Sequence, residues 1–435
     1  MSTAPRGSRV PSDDPSPSLR RPAATWRGLA PATRRLLAAR FFRSISQGAL
    51  VVDLALYLHA LGWTGAAIGM ALTGGGLVGA LLTLVVGVTS DRSRRKPFLL
   101  AYEGLSCACS LVALSTSRPL LLGAAIVLAG FGRGANGAAG PFSPAEQAWL
   151  AEAVEPPRRG FVYSVNTAFG FVGMAIGAMA AALPAWWQSA LGAAGSFRPL
   201  FLLVLLGNAV NLVLVAGTPE EAKPSRPERS SAGDGPKRGP SAPRSTENGF
   251  LLRLVGLNAL NGLAIGLTGP LMAYWFAMKF KAGTSSIGPV MAATFAVTAL
   301  SAFAMARMTQ SLGLVRSVQW GRSAGLVLLV LLPVLPAYSL AALSYLLRSA
   351  FNRGTIGARQ ALVVTAVRDH RRGFAVSLNV LSMMLPMSIG PSVAGALIGA
   401  GWFILPFYIA AALQGLYVLL YGRVFRPYEQ GGTEP

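Results

Sequence analysis

The sequence has few charged residues, and very few of those are acidic. Only 12% of its 435 residues are charged, with 16 acidic against 38 basic residues and a formal net charge of +22. A soluble protein carries about a quarter of its residues as charged side chains. Hydrophobic residues make up 53% of the chain, and the mean hydropathy is +0.51. This composition excludes an ordinary soluble enzyme and indicates a protein that is dissolved in a membrane. The basic residues lie in short clusters between apolar runs and form no continuous basic face, which argues against nucleic-acid binding.

Residues that bind metals or form disulfides are also scarce, with two histidines and two cysteines in the whole chain. Cys107 and Cys109 lie two positions apart in an apolar run, so a helix points them to different faces, which disfavours a disulfide or a shared metal. The phosphate-binding pattern G-x-x-x-x-G-K-[ST] is absent, which argues against an ATP-driven pump. We therefore expect no cofactor, no metal and no enzymatic activity.

Long apolar runs are what the chain does contain. A membrane-spanning helix needs about 20 mostly apolar residues. Twelve segments qualify: 36–60, 66–89, 97–116, 119–140, 161–184, 198–217, 249–276, 286–306, 314–334, 337–352, 374–398 and 402–422. The sequence therefore predicts an all-α membrane protein with 12 transmembrane helices.

The basic residues predict its orientation. With the N-terminus in the cytoplasm, 28 of the 38 Lys and Arg residues are cytoplasmic and only four are external. Such a bias favours a multi-pass protein of the plasma (cytoplasmic) membrane with both termini cytoplasmic. Residues 1–35, rich in Pro, Ser and Arg, are interpreted as a disordered cytoplasmic tail, and 425–435 as a second tail.

The longest polar segment, 218–248, holds six prolines and eleven charged residues and cannot form a core. We interpret it as a flexible cytoplasmic linker between two six-helix halves, 36–217 and 249–424. A role in regulation or partner binding is the alternative to a simple spacer.

An internal repeat supports these two halves. RRGFVYSVN at 158–166 matches RRGFAVSLN at 371–379 at six of nine positions. In the same register, without any gap, Gln147 and Ala148 match Gln360 and Ala361. Six predicted spans separate the copies, which indicates two parallel halves related by an axis along the membrane normal, with a central cavity between them.

A motif between the second and third spans carries a family resemblance. The segment 87–96 is GVTSDRSRRK. It has Gly87, three further residues, Asp91 and Arg92, then two residues and the basic pair Arg95 and Lys96. This segment resembles the loop motif of major facilitator superfamily (MFS) secondary transporters. Together with the repeat, it makes the chain similar, over about 36–424, to MFS transporters of the drug or metabolite efflux kind. Arg94 stands where that family usually has Gly. The resemblance implies that Asp91 helps to latch the cytoplasmic side. The alternative is a basic loop that only sets topology.

Polar residues within the spans are candidate cavity residues, because ionisable and amide groups at membrane depth are costly. In the family that the chain resembles, the first, fourth, seventh and tenth helices line the transport path, and all four carry polar residues here. On the first span, three- and four-residue steps form one mainly polar stripe of Arg43, Ser46, Gln47, Leu50, Asp53 and Tyr57. The candidates are Arg43, Gln47 and Tyr57, Arg133 and Asn136, Asn258 and Asn261, and Arg348 and Asn352. Arg133 and Arg348 would suit an anionic substrate group. Each could instead extend to the membrane interface or bond to backbone carbonyls.

Asp53 and Glu103 are the candidate proton-coupling residues. Burial disfavours the charged form of a lone carboxylate, so Asp53 could exchange protons near neutral pH. The alternative is a permanent ion pair with Arg43 or another arginine. Glu103 lies closer to the cytoplasmic end of its span, where it could be a second coupling group or a structural partner of the basic loop.

These observations predict a transporter that works by alternating access and exports a small organic compound against proton entry. Its expected partners are the small-molecule substrate, the lipid bilayer and protons, and a monomer could suffice. The Gly-Pro pair that many drug–proton antiporters of the family carry in the fifth helix is absent there, and Gly390-Pro391 lies in the eleventh span instead. Uptake by symport, facilitated diffusion, and a non-transporting receptor or assembly factor are the alternatives.

Overall fold

A computed structural model describes residues 29–90, 95–132, 134, 140, 143–155, 158–219, 244–365 and 372–430. All regular secondary structure in these residues is helical. The first eight helices are α1 (Pro31–Ala60), α2 (Gly65–Ser90), α3 (Lys96–Ser115), α4 (Pro119–Ala129), α5 (Ser143–Glu152), α6 (Arg159–Ala180), α7 (Pro184–Gly195) and α8 (Arg198–Ala216). The second eight are α9 (Arg244–Thr268), α10 (Met272–Phe280), α11 (Thr284–Leu312), α12 (Leu314–Leu331), α13 (Tyr338–Gly354), α14 (Ile356–Thr365), α15 (Arg372–Gly399) and α16 (Leu405–Gln430).

Ten of the described helices are long and apolar enough to cross a membrane, and two predicted spans, the fourth and the tenth, correspond to the shorter helices α4 and α13. The all-α, two-half class predicted from the hydropathy pattern is confirmed. The seventh predicted span is divided between α9 and α10, and α9 begins at Arg244, inside the segment predicted as a linker. Most of that segment lies outside the described residues.

The fourth span differs from its prediction. A continuous helix was expected over 119–140, but α4 ends at Ala129, and Gly130 adopts a left-handed conformation with φ 64°. Gly132 and Gly134 also have positive φ, at 77° and 107°. Glycine has no Cβ and adopts such angles at little steric cost, so hydropathy alone does not locate this break.

The two halves repeat one another in three dimensions. In the register of the sequence repeat, both ends of α14 coincide with the ends of α5, and the start of α15 coincides with the start of α6. Gly177 of α6 and Gly390 of α15, which the same register pairs, have equivalent roles in the two halves. A Cβ on Gly177 would lie 1.9 Å from the carbonyl oxygen of Ile45 in α1, and one on Gly390 would lie 2.2 Å from the backbone of Gly266 in α9. Each pair of helices therefore packs backbone against backbone.

Contacts between the halves involve small residues. We call the end of the bundle at which α1 begins the terminal end, and the opposite end, which holds the α1–α2 turn, the distal end. A Cβ on Gly69 of α2 would lie 2.2 Å from the carbonyl oxygen of Pro391 in α15, and one on Gly65 would lie 2.4 Å from that of Gly395. One polar link, from the backbone N–H of Ser392 to Oγ1 of Thr73 at 3.1 Å, joins the same helices. Gly65, Gly69 and Gly395 all lie in the distal half, where they define the distal contact.

Candidate functional site

A buried ion-pair network lies inside the first half, and we call Arg43, Glu103 and Glu146 the N-terminal cluster. Arg43 of α1 donates from Nε to Oε1 of Glu103 in α3 at 3.0 Å, and from Nη1 to Oε2 of Glu146 in α5 at 2.5 Å. All three side chains are buried. Glu146 lies in the first turn of α5, where the positive end of the helix dipole favours a carboxylate. One guanidinium thus bridges two carboxylates, and the buried Arg40 of α1 lies within electrostatic range of Glu146.

A small, partly open cavity of about 40 Å³ adjoins this cluster. It is lined by Arg43, Ser46, Gln47 and Leu50 of α1, Tyr102, Glu103 and Ser106 of α3, Ala129 to Gly132 at the end of α4, Gly140, and Val204 and Asn208 of α8. Four members of the polar stripe predicted on the first span therefore line one cavity. Because α4 ends at Ala129, the backbone of Gly130 and Gly132 forms part of the cavity wall.

Asp53 and Tyr57, the other two members of that stripe, do not line this cavity and lie in an apolar environment. Asp53 is 2% exposed, and neither carboxylate oxygen has a hydrogen-bond partner. Tyr57, one turn further along α1, contacts Phe201 of α8 and Phe197, which directly precedes α8, with ring centroids 5.1 and 6.0 Å away. Its hydroxyl has no hydrogen-bond partner either. The predicted alternative of an Asp53–Arg43 ion pair does not occur, because Arg43 is paired with the two glutamates.

A second buried polar network occupies the other half, and we call Arg322, Arg359, Asn258, Asn261 and Tyr417 the C-terminal cluster. Arg322 of α12 donates from Nη1 to Oδ1 of Asn261 in α9 at 3.0 Å and from Nε to Oγ1 of Thr355 at 3.2 Å. Arg359 of α14 donates to Oδ1 of Asn258 at 3.3 Å. Both guanidinium carbons lie over the ring of Tyr417 in α16, at 5.6 and 5.9 Å from its centre.

The remaining polar candidates of the second half attach to this network or lie beside it. Asn352 accepts a hydrogen bond from Nε2 of Gln414 at 3.2 Å. The side-chain amide of Gln414 also donates to the backbone oxygen of Arg322. Arg348 is buried and donates to Oγ1 of Thr268 in α9 at 3.2 Å. Asn258 also donates to Oδ1 of Asn379 at 2.9 Å. The polar side chains predicted on the seventh and tenth spans thus meet inside the second half.

The loop motif is only partly described. Gly87 lies in the last turn of α2, whereas Asp91 and Arg92 lie outside the described residues. Arg95 is buried directly before α3. Lys96 donates from Nζ to the carbonyl oxygens of Ala216 and Thr218 at 2.6 and 2.9 Å, at the C-terminal end of α8, where a cation complements the helix dipole. Lys96 therefore ties α3 to α8 within the first half.

Sequence reasoning missed four members of the clusters, Glu146, Arg322, Arg359 and Tyr417. The expected partner of Glu103 was the basic loop, and the structure pairs it with Arg43 instead. The repeat register held the missing signal, since Gln147 and Gln360 had already been matched and their preceding neighbours are Glu146 and Arg359. Arg133 and Asn136 lie outside the described residues. Among the residues that are described, no group of three or more His, Cys, Asp or Glu side chains could hold a metal ion.

Comparison with known proteins agrees with this architecture. The sequence profile of the Major Facilitator Superfamily matches residues 36–253 and 254–434, so each half matches it separately. The chain belongs to the Major Facilitator Superfamily and is a multi-pass membrane protein. Among curated protein sequences, none matches it.

Solved structures of transporters share the fold at low sequence identity. The crystal structure of the nucleoside transporter NupG is 12% identical over 91% of this chain and 99% of that one, with a TM-score of 0.68. A D-xylose–proton symporter is 14% identical over 92% and 99%, with a TM-score of 0.68. A bacterial homologue of the iron transporter ferroportin in its inward-facing state is 16% identical over 91% of this chain and 98% of that one, with a TM-score of 0.70. An outward-facing structure with the same description gives 0.59.

Proposed function

We propose that the protein is a proton-coupled secondary transporter that exports a small organic compound by alternating access. In this proposal both termini are cytoplasmic, so the distal end faces outward and the terminal end faces the cytoplasm. The structure then represents an inward-facing state, in which the distal contact closes the external side. The higher TM-score to the inward-facing ferroportin homologue, 0.70 against 0.59 for the outward-facing one, supports this assignment.

The observation that carries proton coupling is the isolation of Asp53. Its carboxylate is buried, has no hydrogen-bond or ion-pair partner, and lies about two turns before the distal end of α1. A buried carboxylate without a partner is stable as the neutral acid and loses its proton only when water or a counter-charge reaches it. Opening of the external side would hydrate this region, so the proton occupancy of Asp53 changes with the state of the transporter.

Glu103 is in a different position, because Arg43 holds it in a buried ion pair. Protonating it would leave a buried guanidinium with a single carboxylate partner. We therefore assign the coupling proton to Asp53. Glu103 instead holds Arg43 in position through their ion pair. Arg43, Glu103 and Gln47 all line the cavity of the first half. Arg133, Asn136, Asn352 and the loop residue Asp91 keep their proposed roles in the transport path and in the cytoplasmic latch.

Transport in proteoliposomes tests this proposal. Compounds that raise the thermal stability of the purified protein are first selected, and their movement is then followed under an imposed pH gradient. The expected result is substrate movement against the proton flow that requires the gradient and is lost in Asp53→Asn. Glu155→Gln is the matched control, since Glu155 is 77% exposed on its side chain and lies on a loop.

Each other result contradicts part of the proposal. Substrate movement in the direction of the proton flow would identify an uptake symporter and overturn export. Flux that needs no gradient and is unchanged in Asp53→Asn would identify a facilitator and make Asp53 a structural residue. A compound that binds but is never transported by the wild-type protein would favour a receptor or assembly factor.

A further inference from the structure

The C-terminal cluster contains positive charge that no described residue of its own half neutralises. Asp369 is the only acidic residue between 249 and 428, and it lies outside the described residues. Among the described residues, Arg322 and Arg359 form no ion pair, and the hydrogen bonds that they donate go to amide, hydroxyl and thioether groups. Neutral acceptors satisfy N–H groups but leave the charge of a guanidinium in place.

The first half shows how the same position is neutralised when the chain supplies the anion. There the fourth residue of α5 is Glu146, and the fourth residue of α14, its match in the repeat register, is Arg359. Arg43 pairs with Glu146 and Glu103, both buried. The second half therefore has two arginines and no described carboxylate at its centre, where the first half has an arginine paired with two carboxylates.

An unneutralised buried charge costs several kcal/mol, even after relaxation and water penetration, so a protein that keeps two of them side by side gains from a counter-ion. Tyr417, which lies against both guanidiniums, is 1% exposed and its hydroxyl has no hydrogen-bond partner. Arg322 is almost fully buried, whereas Arg359 is only partly so. Arg359 can thus meet a ligand first, with Arg322 and the free hydroxyl of Tyr417 behind it.

We propose that Arg322, Arg359 and Tyr417 bind an anionic group, carboxylate or phosphate, that enters from outside the chain. The guanidinium groups supply planar pairs of N–H donors that match the oxygens of either anion, and the Tyr417 hydroxyl supplies one further donor. The bound group acts as the counter-ion of these arginines, as Glu146 and Glu103 do for Arg43 in the first half. With the proposed function, on which this last step rests, the transported compound is an organic anion.

Anion-dependent stabilisation of the purified full-length protein tests the site directly. Thermal unfolding in detergent is followed during titration with acetate or inorganic phosphate at constant ionic strength, with acetamide as the neutral match for acetate. The expected result is a saturable rise in melting temperature with acetate or phosphate and none with acetamide. Arg359→Gln should raise the half-maximal concentration by about 10- to 100-fold, because hydrogen bonds to charged groups contribute roughly 1.5–3 kcal/mol. Tyr417→Phe should raise it about fivefold through the loss of one donor.

Arg423→Gln is the matched control, since it removes the same charge from an exposed position near the end of α16. It should leave the half-maximal concentration unchanged. Equal stabilisation of wild type, Arg359→Gln and Tyr417→Phe would show a general ionic effect and overturn the site. No stabilisation of the wild type by either anion would overturn it as well. Tyr417→Phe adds no volume and keeps the ring, so it stays informative where an arginine variant fails to fold.

The assay needs neither a membrane nor a gradient, so it is independent of proton coupling. Saturable binding in a protein whose flux does not depend on Asp53 would support the anion site and contradict only the coupling proposal. Gradient-driven export of a cation or a neutral compound, with no response to acetate or phosphate, would support coupling and overturn the anion site. Acetate and phosphate titrated separately distinguish a carboxylate ligand from a phosphate ligand.

Discussion

Arg359 occupies in the second half the position that Glu146 occupies in the first, since each is the fourth residue of a short helix and the repeat register pairs the two helices. The short helix is kept in both copies, while the charge at this position is reversed. Glu146 completes an ion-pair network with Arg43, and Arg359 adds a second positive charge beside Arg322.

Arg43→Gln should destabilise the protein strongly. It leaves Glu103 and Glu146 buried without the ion-pair partner that they share, and removing one member of a buried ion pair costs about 3–5 kcal/mol. Chemical unfolding in detergent measures the loss. Arg118→Gln, at an exposed helix start, serves as the control and should change stability by less than about 1 kcal/mol. A wild-type unfolding curve for Arg43→Gln would show that the pairing contributes nothing.

Gly69→Ala should weaken the distal contact and favour the opposite state of the transporter. The new Cβ would lie 2.2 Å from the carbonyl oxygen of Pro391, so α2 and α15 must separate. Spin labels at Trp186 and Trp402, which are exposed at the distal end of the two halves, should show longer distances once Cys107 and Cys109 are replaced.

Gly104→Ala is the matched control for this change, because nothing lies within 4 Å of a Cβ at that position. It should leave the label distances at their wild-type values. The interpretation of the distal contact as a closed gate fails if Gly69→Ala gives the same distance distribution as Gly104→Ala.

Arg322→Met should stabilise the protein in buffer that lacks carboxylates and phosphate. Replacing buried charged groups by well-packed apolar side chains of similar volume can raise stability by about 1–4 kcal/mol. Thermal unfolding in chloride buffer measures the gain, with Arg316→Met, an exposed position on the same helix, as the control. A large destabilisation would indicate that the bonds of Arg322 to Asn261 and Thr355 outweigh its desolvation.

The orientation can be determined by labelling. A cysteine at Ser230, in the polar segment between the halves, should react with a membrane-impermeant maleimide only from the cytoplasmic side. A cysteine at Gln188, exposed on α7 at the distal end, should react only from outside. Both positions are tested in a background without Cys107 and Cys109. The reverse pattern would place both termini outside and invert the proposed transport cycle.

Asp91→Asn tests the latch that the loop motif implies. Loss of transport with unchanged folding and expression is the expected result, because setting topology requires the basic residues of the motif but not its carboxylate. Asp234→Asn, the same chemical change in the segment between the halves, should transport normally. Wild-type flux in Asp91→Asn would leave the motif with a role in topology alone.

Most of the architecture could be predicted because the signals for it are local. Apolar runs define the helices, and the repeat at 158–166 and 371–379 relates the halves. The end of α4 at Ala129 was not predictable from hydropathy, because Gly130 and its neighbours are as compatible with an apolar run as with a break. Short α5 was missed for a related reason: its sequence, SPAEQAWLAE, is neither apolar nor long.

The clusters were predicted less well because their members are distant in sequence. Arg43, Glu103 and Glu146 come from three helices, and the spacing within any one of them does not show that they meet. Single-helix patterns suggested an Arg43–Asp53 pair, and packing gave Arg43 to two other carboxylates. Only the repeat register connects Glu146 with Arg359. The difference becomes visible when the charges of the side chains at matched positions in the two copies are compared.

The distal contact consists of glycine backbones packed against carbonyl oxygens, with one hydrogen bond between Ser392 and Thr73. Among the described residues, this contact contains no ion pair for salt to screen. Its strength depends on how tightly two nearly bare helices fit, and therefore on volume rather than on charge. Hydrostatic pressure and the lateral pressure of the surrounding lipid become the variables that set how often the carrier opens. Bilayer composition would then govern turnover at fixed substrate concentration and ionic strength.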